Sequence, residues 1–220
     1  MQMSDRSKIC LYCKERNNTD NMEFFVDEIG VCKTCAKGLY PVLSVLPFEG
    51  TQSIECVFSP FYYRGMIKTL IQRYKFHREW KISELFAKII FEYIKHSDIL
   101  ESIDFITAIP LDYKRLKERG FNQSHLMAQA LCELLKIPYI DCVYRHKHTL
   151  RQSTLSRFDR RTNTRNAFLA DDQKVRGMRI LLVDDIFTTG ATMNSCAEEL
   201  KNKGAKSVIG LALAIRKHKS

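Results

Sequence analysis

Two hydrophobic periods alternate along the chain. Near-continuous apolar runs at Cys56-Val57-Phe58, Phe105-Ile106-Thr107-Ala108-Ile109-Pro110, Ile180-Leu181-Leu182-Val183 and Val208-Ile209-Gly210-Leu211-Ala212-Leu213-Ala214 read as strands covered on both faces. Elsewhere apolar residues return at helical spacing. Met66, Ile67, Leu70, Ile71 and Tyr74 make one such stripe, and Ile82, Leu85, Phe86, Ile89, Ile90 and Tyr93 keep the period for a further helix. Met127, Ala130, Leu131, Leu134 and Leu135 form a third, and Met193, Cys196, Ala197 and Leu200 a fourth that Gly204 closes. Strands alternating with helices predict an α/β fold, a mainly parallel sheet flanked by helices. In such sheets ligands sit beyond the carboxyl ends of the strands.

One strand carries more than packing. Ile180 to Val183 are followed by Asp184 and Asp185, where the strand is expected to end, then by Thr188-Thr189-Gly190-Ala191-Thr192 and a helix. Thr188, Thr189 and Thr192 offer hydroxyl donors, and Gly190 lets a ligand approach the backbone. The helix that follows aims its free N–H groups at the turn, and together these suit a phosphate. Ionised carboxylates accept hydrogen bonds and suit hydroxyl groups or a metal. Phosphate on the turn and a diol on the acids describe a ribose 5-phosphate. A buried strand ending in a solvated acidic pair is the bland alternative, and the whole stretch taken together argues against it. The stretch resembles the phosphoribosyl-diphosphate signature of type I phosphoribosyltransferases. That resemblance implies that Asp184 and Asp185 hold the ribose hydroxyls and that Thr188, Thr189, Gly190, Ala191 and Thr192 hold the 5′-phosphate.

Composition narrows the class. A chain of 220 residues, 45% hydrophobic, can bury one core and carry a small appended module. No run is long and apolar enough to cross a membrane, and Met1 to Lys8 lacks the apolar stretch of a secretory signal, so a cytoplasmic protein without membrane insertion is expected. The net charge of +10 suits a polyanionic partner, although Lys-rich surfaces also serve solubility.

Cysteine spacing defines the module. Cys10-x-x-Cys13 and Cys32-x-x-Cys35 can offer four thiolates to one tetrahedral ion, with Phe24 to Val31 supplying a short hairpin between them. Structural Zn2+ is expected, since four Cys ligands leave no open position for catalysis. Lys8, Lys14, Arg16, Lys33 and Lys37 surround the knuckle, as a solvated rim or as a nucleic-acid contact. The expected division is residues 1–40 for the zinc module, 41–55 for a linker that docks through Val42, Leu43, Val45 and Leu46, and 56–220 for the main domain.

Cations and aromatics interleave from Phe61 to Lys81. Arg73, Lys75, Arg78 and Lys81 stand among Tyr74, Phe76, His77 and Trp80, either as one face of an amphipathic helix or as a stacking platform for single-stranded nucleic acid. A second cationic stretch, Arg145, Lys147 and Arg151 with His146 and His148, reads as a flap toward the sugar-phosphate site or as a DNA surface. Between these lies Lys114-Arg115-Leu116-Lys117-Glu118-Arg119, an exposed basic loop leading into a helix capped by Asn122 or Ser124.

Pro110, then Arg119-Gly120-Phe121-Asn122-Gln123-Ser124, Gln152, Arg160-x-x-Asn163, Ala167-Phe168 and the acidic signature resemble the ComF family along nearly the whole chain, four-cysteine knuckle included. Two positions depart from its usual pattern. Asn166 stands where Gly is usual, and Phe76-His77 follow Lys75 where a small residue is usual. The resemblance implies a type I phosphoribosyltransferase-like domain with an N-terminal zinc module, and a diphosphate-side loop after Ile109 with Arg119, Asn122 and Gln123 as polar ligands. It further implies Mg2+-dependent binding of phosphoribosyl diphosphate, and handling of incoming single-stranded DNA in natural transformation alongside other competence proteins such as the DNA-translocating helicase. An active phosphoribosyltransferase acting on a small-molecule acceptor is the alternative. A purely structural adaptor is a third reading, which the intact acids and threonines oppose.

Overall fold

The computed structural model describes residues 8–10, 12–13, 16–17, 31–42, 46–47, 53–145 and 167–216. Among them the strands are β1 (Lys8–Ile9), β2 (Arg16–Asn17), β3 (Leu46–Pro47), β4 (Cys56–Phe58), β5 (Phe61–Tyr62), β6 (Phe105–Ala108), β7 (Val143–Arg145), β8 (Phe168–Ala170), β9 (Arg179–Phe187) and β10 (Ser207–Ile215). The helices are α1 (Lys33–Ala36), α2 (Gly65–Phe76), α3 (Ile82–Ile94), α4 (Tyr113–Arg119), α5 (Gln123–Leu135), α6 (Asp172–Val175) and α7 (Ala191–Asn202), with a 3-10 turn at Asp98–Ser102.

The main sheet runs β3-β4-β10-β9-β6, and β5 continues the β4 edge along β10. Every pairing in it is parallel except β3 on β4. This is the parallel, doubly covered α/β layer that the apolar runs call for. Leu181 and Val183 face a core built with α2, α3 and α5, whereas Ile180 and Leu182 face a second core built with α7 and the β7–β8 hairpin.

The acid-bearing strand is longer than its apolar run. It continues to Phe187 instead of stopping at the acids, because the apolar run of β10 is equally long and keeps pairing: Ala212 with Asp184, Ala214 with Ile186, Ile215 with Phe187. Two helices also differ from their stripes. In α5 the buried face is Met127, Ala128 and Leu131, while Leu134 is exposed. In α3 burial extends beyond the stripe to Ser83, Ala87 and Ile94, so this helix is enclosed and not merely laid on the surface. The α2 stripe Met66, Ile67, Leu70, Ile71 and Tyr74 is buried as its period predicts.

The N-terminal module is sewn to the main body. Cys10, Val31 and Cys32 share one hydrophobic cluster with Ile67, Leu70 and Ile71. The segment after it joins the sheet edge, with Pro41 bridged to Phe61, the Val42 N–H donating to the Pro60 carbonyl, and β3 pairing antiparallel with β4. The hairpin expected over residues 24–30 lies outside the described residues.

Gly65 is the point of closest approach. Its φ is +54°, and a Cβ there would sit 2.3 Å from the Gly38 carbonyl oxygen and 2.7 Å from the Tyr40 ring. The Met66 N–H donates to that same Gly38 carbonyl at 3.1 Å. Gly65→Ala adds both a left-handed backbone penalty and a clash with backbone that cannot step aside. It is expected to lower stability by about 2–4 kcal/mol, read as a drop in urea midpoint with proteolysis first cutting near residues 38–42. An unchanged midpoint would mean that the module does not depend on this contact.

Candidate functional site

At the carboxyl ends of β6 and β9 lies a cleft of about 500 Å³. Asp184, Asp185, Thr188 and Thr192 line one side, and Asn122, Gln123, Ser124 and Arg119 line the other. Lys75, Arg115 and Arg145 complete a wall in which cations outnumber the acids Asp112, Asp184 and Asp185.

The acids are held differently because a strand points successive side chains to opposite faces. Asp184 Oδ1 accepts from Ser124 Oγ and from the Asp185 N–H, each at 2.8 Å. Asp185 is buried, and its Oδ2 lies 2.5 Å from Lys75 Nζ, an ion pair without an aligned hydrogen bond. Burial and then the neighbouring Asp185 raise the Asp184 carboxyl to about 7, against the Ser124 and backbone donors and the Lys75 charge.

The turn after β9 forms as its small residues suggest. Gly190 has φ 75° and caps α7 with no side chain, so the helix N-terminus stays open to an anion. Thr189 Oγ1 takes the Ala191 N–H at 3.4 Å. Thr188 and Thr192 border the cleft; Thr189, Gly190 and Ala191 build the turn behind them.

The opposite wall is more ordered than a basic loop. Residues 113–119 form α4, capped by Asp112 accepting from the Lys114 N–H and ended by Gly120 at φ 84°. Asn122 is occupied at both ends of its amide: Oδ1 caps α5 at the Ser124 and His125 N–H groups, and Nδ2 donates to the Ile109 carbonyl. Its role in the cleft is therefore to fix the loop. Gln123 is buried, its Oε1 taking Arg119 Nη1 at 2.9 Å, while its Nε2 has no partner among the described residues. An unpaired buried amide costs about 1–3 kcal/mol and suits a ligand acceptor at the cleft wall. Burial depresses the Arg119 guanidinium, which the charge of Asp185 offsets.

The residues singled out for DNA part company. Lys75 and Arg145 turn out to wall the cleft that holds the acid pair. Arg73 is tied to Glu79 through Nε at 2.8 Å and Nη2 at 2.5 Å, and Nη1 reaches the Tyr12 carbonyl of the zinc module. Arg78 and Lys81 stay exposed outside the cleft. Lys147 and Arg151 lie outside the described residues. Sequence reasoning missed Lys75 as a cleft residue and Ser124 as the Asp184 partner. Helical period held the signal for Lys75, since it follows Tyr74 at the end of the buried stripe.

In the module, Cys10, Cys13, Cys32 and Cys35 place their sulfurs within 4.8 Å of one another. A tetrahedral zinc needs sulfurs about 3.8 Å apart, so little movement is required. The Cys32 N–H donates to Cys10 Sγ at 3.4 Å. Burial would raise the Cys10 thiol, yet backbone N–H groups of Cys32, Cys13 and Tyr12 bring it down to about 7. Burial and the crowding of three other thiols raise Cys35. The donor set fits zinc.

Sheet order, acid pair and threonine turn define a phosphoribosyltransferase-type domain, and residues 118–220 match the family model for the phosphoribosyl transferase domain. The chain is 35% identical over 161 residues to Competence protein F of Haemophilus influenzae, covering 70% of each. It is 28% identical over 220 residues to the DNA utilization protein YhgH of Salmonella typhimurium, covering 91% of this chain and 93% of that one. Among solved structures, an adenine phosphoribosyltransferase aligns over 84% of this chain and 88% of its own at 15% identity and TM-score 0.43. The chain belongs to the ComF family of competence proteins.

Two outcomes are expected here. Native mass spectrometry should show one zinc per chain, lost in Cys13→Ser; a metal-free parent would refute the module. For Asp184, a carboxyl raised in the folded state contributes stability below its unfolded value, and that stability is lost as pH rises toward 7. Asp184→Asn keeps the acceptor oxygen and removes the charge. Without ligand it should be more stable than the parent by roughly 1–3 kcal/mol at pH 8, the gap closing toward pH 4. A gap independent of pH would contradict this.

Proposed function

We propose that this protein binds phosphoribosyl diphosphate with Mg2+ and also binds single-stranded DNA, and that it acts in the cytoplasm on DNA arriving during natural transformation. The juxtaposition of the acid pair, the open N-terminus of α7 and the cationic α4–α5 wall in one cleft carries the first part. Asp184 and Asp185 take the ribose hydroxyls, and Thr188, Thr192 and the α7 N-terminus take the 5′-phosphate. Arg119, Arg115, Lys75 and the free Gln123 amide face the diphosphate.

The all-oxygen donors at the cleft fit Mg2+, a hard cation that keeps waters and shares phosphate oxygens. Asp185 Oδ2, which lacks an aligned hydrogen bond, and Asp184 would hold it. When bound, Mg2+ neutralises diphosphate charge, as stabilisation of a departing diphosphate requires.

The DNA part draws on the net charge of +10 and the exposed cations and rings around Phe76 to Lys81, and on the relatives called Competence protein F and DNA utilization protein. Other competence proteins, a DNA-translocating helicase among them, are the fitting partners. Among the described residues no helix is long and apolar enough to cross a membrane. The second reading is transfer of the phosphoribosyl group to a small acceptor, and a cavity that shares Lys75, Arg115 and Arg119 with the cleft leaves room for one.

Calorimetry with phosphoribosyl diphosphate should give binding heat that needs Mg2+ and vanishes in the Asp184→Ala, Asp185→Ala double variant. Fluorescence titration with single-stranded oligonucleotides should show affinity falling steeply with salt. Undiminished heat in the double variant would overturn the cleft assignment, and salt-independent or absent oligonucleotide binding the DNA assignment.

A further inference from the structure

Beside the cleft is a second cavity of about 280 Å³, walled by Lys75, Phe76, Arg78, Arg115, Glu118 and Arg119. Lys75, Arg115 and Arg119 border both spaces. Four of these six side chains are cationic and Glu118 is the acid among them, so the cavity favours an anion. Charge alone does not describe it. Phe76 is 68% exposed, and the Arg119 guanidinium stands 5.5 Å from its ring centroid. The cavity thus pairs an exposed aromatic ring with cations on one wall.

The backbone is bent to present this wall. Arg78 has φ 55°, a left-handed conformation that a long side chain adopts at a cost. The Arg73–Glu79 ion pair closes over it and holds the bend. Relaxing the bend would move Arg78 away from Arg115, while Phe76 stays with the end of α2.

We infer that this second cavity takes a nucleotide unit, its base against Phe76 and its phosphate between Arg78 and Arg115. The inference rests on the phosphoribosyl-diphosphate reading of the adjoining cleft and deepens it. A polyanion without a planar group has no use for the exposed ring, and an apolar ligand has none for four cations. A nucleotide uses both. The unit is either a free mononucleotide or the terminal nucleotide of a single strand, and the chemistry is the same. Because Lys75 and Arg119 belong to both cavities, the two ligands compete for the same cations. Each must then change the other's affinity by the same factor.

The test uses the full chain, a 3′-labelled oligothymidylate of about ten nucleotides read by fluorescence anisotropy, and thymidine 5′-monophosphate as competitor. Phe76→Ala should weaken oligonucleotide binding roughly five- to hundred-fold, the worth of one base stacked on one ring. Phe76→Tyr should restore it, and calorimetry with phosphoribosyl diphosphate and Mg2+ should be unchanged in Phe76→Ala. Saturating phosphoribosyl diphosphate should shift the parent's oligonucleotide affinity. Displacement of the oligonucleotide by the monophosphate identifies free nucleotide as the source. Failure to displace, with the Phe76 dependence intact, identifies the strand end. Oligonucleotide binding equal in parent and Phe76→Ala overturns the inference, as does a parent that binds neither probe. A parent with Phe76-dependent binding but no heat from phosphoribosyl diphosphate keeps this cavity and removes the reading of the cleft beside it.

Discussion

The parallel ladder between β9 and β10 is the constraint from which the cleft follows. It runs in one register from Arg179 paired with Ser207 to Phe187 paired with Ile215. Because it outlasts the apolar run of β9, it carries two carboxylates past the core and holds them in extended backbone at the sheet rim. A carboxylate as enclosed as Asp185 is costly without a counter-charge, several kcal/mol by ordinary desolvation. Lys75 supplies that charge. It can do so because Tyr74 beside it is fully buried, edge-on to Phe86 at 5.4 Å, with its hydroxyl donating to the Gln123 carbonyl at 2.9 Å. Burial raises the Tyr74 phenol, so at neutral pH it stays a donor. The ends of β9, α2 and α5 are therefore locked to one another by packing, and the polar wall follows from that lock.

How far the sequence carried can be judged at particular residues. Apolar runs located the strands at Cys56, Phe105, Ile180 and Val208, and helical period located α2 and α7, because burial on both faces or on one stripe leaves a plain mark. Spacing alone brought together the four cysteines. The length of β9 was not legible: nothing in Asp184-Asp185-Ile186-Phe187 itself says that a partner strand of equal length will keep pairing. Helix α4 was hidden for a related reason. Lys114 to Arg119 show no apolar stripe, and the helix is defined by its caps, Asp112 at one end and a left-handed Gly120 at the other. Leu134 followed the α5 stripe yet is exposed, since the period of an isolated helix does not report where the neighbouring layer ends.

Charge was the least legible property. Arg73, Lys75 and Arg78 look alike in sequence and meet different fates within six residues: one clamps Glu79 and reaches the four-cysteine module, one neutralises a buried acid, and one stands exposed on the wall of the second cavity. Their direction is set by helix phase. Lys75 leaves α2 toward β9, and the bend at Arg78 turns the chain outward. Sequence composition can count such cations but cannot aim them.

The same geometry leaves the cleft incompletely satisfied. Among the described residues the Gln123 amide lacks an acceptor and Asp185 is held by an ion pair with no aligned hydrogen bond, and Asp184 resists ionisation. Each of these is a cost, and the groups differ in what would offset it: an acceptor oxygen for Gln123, a hydroxyl donor for Asp184, a cation for Asp185. Lys75, the counter-charge of Asp185, also stands on the wall shared with the second cavity. Three residues at the end of α2 thereby face three surfaces: Arg73 the module, Lys75 the acids and Phe76 the open cavity. Since they are consecutive or nearly so on one helix, the three surfaces share that helix end as a common support. That shared support, more than any single side chain, ties the acid-bearing cleft to the outer face of the protein.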